Sequence, residues 1–167
     1  MFLPLWLRKA VGLTPVDDGQ ADDFFASLNR LPLAERERLV ALATLHLSAE
    51  IDTFNDVELA MLERLRAKGR LTTDEASRAK QLAEAADNRY FELNSAGASS
   101  EQSRQDYTKA RLFSGLALGC FSAGRRPNAA EAFRELSSAA KAPSELLAYT
   151  QAELKRMASK SRKHSVQ

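Results

Sequence analysis

Helix boundary signals follow one another along this chain, and nowhere does it show the sustained two-residue alternation of a half-buried strand. Asn55 with Glu58, Thr72 with Glu75, Ser99 with Gln102 and Asn128 with Glu131 each set an oxygen-bearing side chain three residues before a carboxylate or amide. That spacing lets the two side chains satisfy the free amides at a helix start. Gly69, Gly97 and Gly124 follow apolar-periodic segments, where a left-handed residue ends a helix. Pro32 and Pro143 stand where a helix can begin without loss, because the first turn has no use for their missing N–H. The expected fold is all-α, a compact bundle or a stack of αα-hairpins with roughly six to seven helices. The connections are short, so consecutive long helices should run antiparallel.

The apolar positions predict which faces meet. In "ADDFFASLNRLP", Phe24 and Leu28 share one face and Asp22 and Asp23 occupy the first turn. A segment from Leu33 to about Asp52 is apolar over a wide arc, with Leu39, Leu42, Ala43, His46 and Ala49 on one side and Val40, Leu47 and Ile51 beside it. It reads as the central core helix. Phe54 is placed to clasp Leu59 across the next helix start. Ala76, Ala79, Leu82, Ala83, Ala86, Tyr90 and Leu93 form a small-residue stripe, which implies a close neighbour. Tyr107, Ala110, Phe113, Leu116, Ala117 and Cys120 point inward on the helix after it, while Phe133, Leu136, Leu146, Leu147, Tyr149 and Leu154 supply the last two. Gly115 and Gly119 sit inside a helix, where each costs about 1 kcal/mol relative to alanine. They predict a smooth strip, continued by Ser122, against which a neighbouring helix of the same chain packs closely.

A length of 167 residues fits one domain, and 44% apolar with 28% charged residues describes a globular chain. Residues 1–158 read as a single helical domain and 159–167 as a disordered basic tail. The net charge of +2 conceals an asymmetry. Lys155, Arg156, Lys160, Arg162 and Lys163 face only Glu153 within the last segment, and such an end can meet phosphates or an acidic partner. The one cysteine, Cys120, excludes an internal disulfide framework and favours a reducing, cytoplasmic setting. No apolar run reaches the length that spans a bilayer. The opening "MFLPLWLRKAVGL" places Arg8 and Lys9 after its apolar run, which argues against a cleaved leader. Residues 1–13 are expected to dock on the protein's own core or at an oligomer contact, with a membrane surface as the lesser alternative.

Chemistry-bearing motifs are scarce. His46 and Glu50 are four apart, so a carboxylate could orient an imidazole, yet the only other histidine is His164. The cluster Asp17, Asp18, Asp22 and Asp23 lacks the closing glutamate of a calcium loop. No Gly-rich phosphate loop and no zinc or di-iron spacing is present, and no catalytic, cofactor-binding or metal-binding residue is assigned. Arginine and alanine usage suggests a bacterial genome.

Two stretches resemble known families. Phe113, Leu116, Ala117, Cys120, Gly124, Ala129 and Phe133 resemble one unit of a tetratricopeptide repeat, whose hairpin alternates large and small residues so that two helices nest. Pro143 stands later than that repeat's terminal proline. The resemblance covers about residues 113–143 and implies a scaffold that holds peptides or partner proteins. "LNRLPLAERERLVALATLHLSAEI" is similar to the lead-in of the DNA-binding helix-turn-helix of sigma factors, but no break turns the chain between Leu45 and Ile51, and Arg64, Arg66, Lys68 and Arg70 gather only at the following helix's end. The resulting expectation is a non-enzymatic protein-binding module of adaptor, chaperone-like or dedicated-inhibitor type. Arg125, Arg126, Arg156, Lys160, Arg162 and Lys163 are its candidate contacts. Nucleic-acid binding through the helix-turn-helix-like segment and basic tail is the alternative.

Overall fold

The computed structural model describes residues 18–97, 100–119 and 128–165. Among them are seven helices and no strand: α1 (Asp18–Leu28), α2 (Leu33–Ser48), α3 (Asp56–Lys68), α4 (Thr73–Ser95), α5 (Ser100–Gly119), α6 (Ala129–Ala139) and α7 (Pro143–His164). Their boundaries follow local chemistry. Two of the expected capping boxes close in full: Asn55 Oδ1 accepts from the Glu58 amide at 2.9 Å, Thr72 Oγ1 from the Glu75 amide at 3.3 Å, and each glutamate accepts from its cap residue's amide, whereas Asn128 Oδ1 accepts from the Glu131 amide at 3.2 Å without the return bond. Gly69 and Gly97 adopt φ of 70°, the left-handed stop that only glycine takes without strain. Pro143 opens α7. The cap expected from Ser99 falls outside the described residues.

Buried apolar side chains from all seven helices join in one cluster. α2 crosses its middle, touching α3, α5, α6 and α7. The most extensive packing is between α4 and α5, where Ala76, Ala79, Ala83 and Ala86 form a seam small enough for two backbones to approach. Asp87 meets Arg111 whereas Arg89, further along α4, meets the earlier Asp106, so the two helices run antiparallel, with Tyr90 against Tyr107 beside them. α6 folds back along α5. A Cβ on Gly115 would meet Leu136 Cγ at 2.8 Å, and one on Gly119 would meet Val40 Cγ1 at 2.4 Å. The two glycines therefore let α6 and α2 approach α5, the internal contact expected of them. α1 closes the far side through Phe25, stacked on Phe133 with ring centres 5.7 Å apart. Asn29, just past α1, takes part in capping α6: its Oδ1 accepts from the Ala129 amide at 2.8 Å.

Four expectations need correction. α2 ends at Ser48 rather than near Asp52, because the chain tightens into a turn in which the Glu50 amide donates to the Leu47 carbonyl. His46 and Ala49 are exposed, leaving Leu39, Val40, Ala43 and Leu47 as the core side of α2. Leu59 stays 45% exposed rather than being covered by Phe54, whose ring lies edge-on to Phe113. The last helix runs through His164 instead of giving way to a disordered tail at 159. Nothing after Pro143 breaks a helix, Ser159 and Ser165 donate back to carbonyls four residues earlier, and Arg162, Lys163 and His164 suit the negative end of the dipole.

Candidate functional site

α3 and α4 diverge from the Gly69 turn and pack on one another only sparsely. Between them lies a groove of about 450 Å³. Its α3 wall carries Val57, Ala60, Met61 and Arg64, at the i, i+3, i+4 and i+7 spacing of one helix face. Leu82 and Gln81 line the α4 wall, with Arg78 and Glu75 toward the turn. Met61 forms the floor at 7% exposure, while Val57 stands at the mouth with 65% of its surface in water.

Glu75 is the fixed point of the turn end. Its carboxylate is buried, receives the Thr72 amide at 3.0 Å and the Arg64 guanidinium at 2.8 Å, and closes the cap of α4. The Thr72 amide first, then Arg64 and Lys68, hold its pKa below the usual carboxylate value against the opposing effect of burial. Arg78, one turn further along α4, makes no ion pair among the described residues.

A buried charge hub sets the other end. Glu58, 1% exposed at its side chain, meets Lys109 Nζ at 3.1 Å and Arg89 Nη2 at 3.1 Å, while the Asn55 amide donates to Oε2 at 2.9 Å. Lys109 is itself buried; its ammonium also donates to the Thr53 carbonyl and lies 5.7 Å from the centre of the Phe54 ring. Arg89 continues to Asp106 at 3.0 Å. Three helices, α3, α4 and α5, are tied through one carboxylate, so the separation of the groove walls is set at both ends. A second cleft lies over Thr53, Gln105, Asp106 and Lys109, but the one cation it could offer is already bound to Glu58 and Thr53.

The residues singled out from the sequence are scattered. Arg125 and Arg126, Cys120, and the segment 1–13 lie outside the described residues. Arg156 pairs with Glu153 at 3.1 Å. Lys160, Arg162 and Lys163 are exposed on the last turns of α7. His46 and Glu50 do not act on each other: the imidazole stacks on Tyr149 at 4.0 Å, and Glu50 Oε2 accepts from the Lys141 amide at 3.2 Å. Burial, then Glu153, raises the Tyr149 pKa. Among the described residues no His, Cys, Asp and Glu gather in a metal-binding group, and no helix is long and apolar enough to cross a membrane.

Sequence reasoning passed over Val57, Arg78, Lys109 and the second role of Glu58. For Lys109 a signal was present, though not the identity of its partner: it falls four residues before Phe113 on a buried stripe, and an ammonium there requires a buried counter-charge. Val57 carried a weaker one, since α3 is apolar on more than its core side. No protein-family model, no curated protein and no solved structure matches the chain.

Proposed function

We propose that this chain is a non-enzymatic protein-binding module, acting in the bacterial cytoplasm as an adaptor, chaperone-like holder or dedicated inhibitor, and that the α3/α4 groove is its contact surface. One observation carries the reading: an apolar groove stands open to water with Val57, 65% exposed, at its mouth. Water-facing apolar surface contributes nothing to the fold, and covering it releases about 25 cal/mol per Å². Two helix faces with matching spacing also form the usual cradle for a third helix or an apolar peptide segment. Arg156, Lys160, Arg162 and Lys163 on α7 supply a separate cationic surface for the same or a second partner.

The test is site-specific photocrosslinking in cells that make the protein. A photoreactive residue at position 57 should trap one protein, and the same residue at Ser138, on the exposed side of α6, should not. Equal products from both positions, or none from 57, would remove the reading. The nucleic-acid alternative rests on Lys155, Lys160, Arg162 and Lys163, which are exposed on one helix and form no ion pair among the described residues. Were it right, four phosphate contacts would give binding with a salt slope of about −3.6 on logarithmic axes.

A further inference from the structure

We infer that the groove selects an acidic amphipathic helix, one with an aliphatic stripe whose end toward the Gly69 turn is flanked by carboxylates. This deepens the protein-binding reading and rests on it. The groove's chemistry is graded along its length. Val57, Ala60, Met61 and Leu82 make the far part apolar, and Ala60 is small enough for a bulky aliphatic side chain to seat against its backbone. The part near the turn carries two guanidiniums, Arg64 and Arg78, against the single carboxylate of Glu75. That carboxylate is no attraction for a cationic guest, since it is buried and already bound by Thr72 and Arg64. Lys68 adds a further positive charge near it. Arg78 has no ion-pair partner among the described residues and stands beside an apolar trough, and a carboxylate on a docked helix would complete it with charge-assisted hydrogen bonds.

The same charges argue against this chain as its own guest. The apolar opening segment brings Arg8 and Lys9, and the end of α7 brings Lys160, Arg162 and Lys163, all of the wrong sign. The acidic start of α1 has the right sign, but that helix is committed to the core through Phe24, Phe25 and Leu28, so the occupant argued for is a helix of another protein.

The experiment is a selection on the full-length chain. A displayed library of helical peptides is built with a stripe varied among Ala, Val, Leu, Ile and Met at i, i+3, i+4 and i+7. The positions flanking its ends vary among Glu, Lys and Gln. Binders are counter-selected on Val57→Asp, a change at an exposed position that leaves the core untouched. The expected result is enrichment of Glu over Lys at one end of the stripe by about tenfold, with isolated peptides losing about tenfold in affinity on Arg78→Glu. Enrichment of aliphatic stripes without charge preference would overturn the acidic partner while leaving protein binding in place. No enrichment over the counter-selection would overturn the inference, and with no crosslink at position 57 it would remove the protein-binding reading as well. Self-association of the protein alone, abolished by Val57→Asp, would replace the acidic helix with a second copy of this chain.

Discussion

Replacing Glu58 by glutamine keeps the shape of the side chain and an oxygen for the Asn55 amide, so the cap of α3 survives and only the buried negative charge is lost. Lys109 is then left with an ammonium whose side chain is 7% exposed and whose remaining partners are the Thr53 carbonyl and the Phe54 ring. Removing one member of a buried pair costs about 3–5 kcal/mol, and the lower end applies here because Arg89 keeps Asp106. For a chain of this size each kcal/mol moves the melting temperature by about 2–4 °C, so Glu58→Gln should melt about 6–12 °C early. Lys109→Met leaves Glu58 with Arg89 and should cost less, about 2 kcal/mol. The double variant removes both buried charges. It should sit well above the sum of the singles, with a coupling of about 2 kcal/mol. Urea and thermal denaturation followed by far-UV circular dichroism measure all three. Singles that simply add, or a Glu58→Gln protein as stable as the parent, would show that the hub does not hold these helices together.

Gly119→Ala should destabilise by about 1–3 kcal/mol through overpacking, despite the roughly 1 kcal/mol that alanine gains inside a helix, because its methyl would lie 2.4 Å from Val40 Cγ1. Adding Val40→Ala should recover part of that loss; urea midpoints that fall further in the double variant would contradict the close approach. Glu75 predicts an acid effect. Its folded pKa is depressed, so its contribution is complete above the unfolded carboxylate range and is lost as pH falls through the lower folded value. Glu75→Gln should flatten the acid limb of the stability curve, and an unchanged slope in urea titrations across that range would count against the Thr72 and Arg64 contacts.

How much of this was legible in the sequence depends on the distance over which each feature is decided. The caps at Asn55, Thr72 and Asn128 and the stops at Gly69 and Gly97 involve residues at most four apart, and local spacing identifies them. His46 failed because α2 is apolar over so wide an arc that periodicity cannot choose its edges. The choice falls to α7, whose Tyr149 meets the imidazole on the outside. Glu58 was readable only as a cap, since Lys109 and Arg89 reach it from positions 51 and 31 residues away. The groove is harder still: nothing in "DVELAMLERL" says that α4 will stand off from Val57 rather than cover it. The end of α7 was misread because charge density resembles disorder in composition, whereas a helix tolerates cations at its C-terminal end.

The groove stays open for a reason that the same contacts supply. α3 turns Met61, Leu62 and Leu65 to the core, and that commitment leaves Val57, Ala60 and Arg64 on the side facing α4. Rolling α3 to bury Val57 would draw Leu65, now fully buried, toward water, and would pull Glu58 away from Lys109. Sliding α4 inward would disrupt its alanine seam with α5, the most extensive helix pairing among the described residues. The Glu75 cap at one end and the Glu58 hub at the other then hold the two walls at the spacing they have. A guest helix meets a surface that is already in place, so little of its binding free energy goes into ordering the host. Among the described residues the fold thus maintains an exposed apolar feature that their packing does not cover, which is the physical basis for reading it as a surface for another chain.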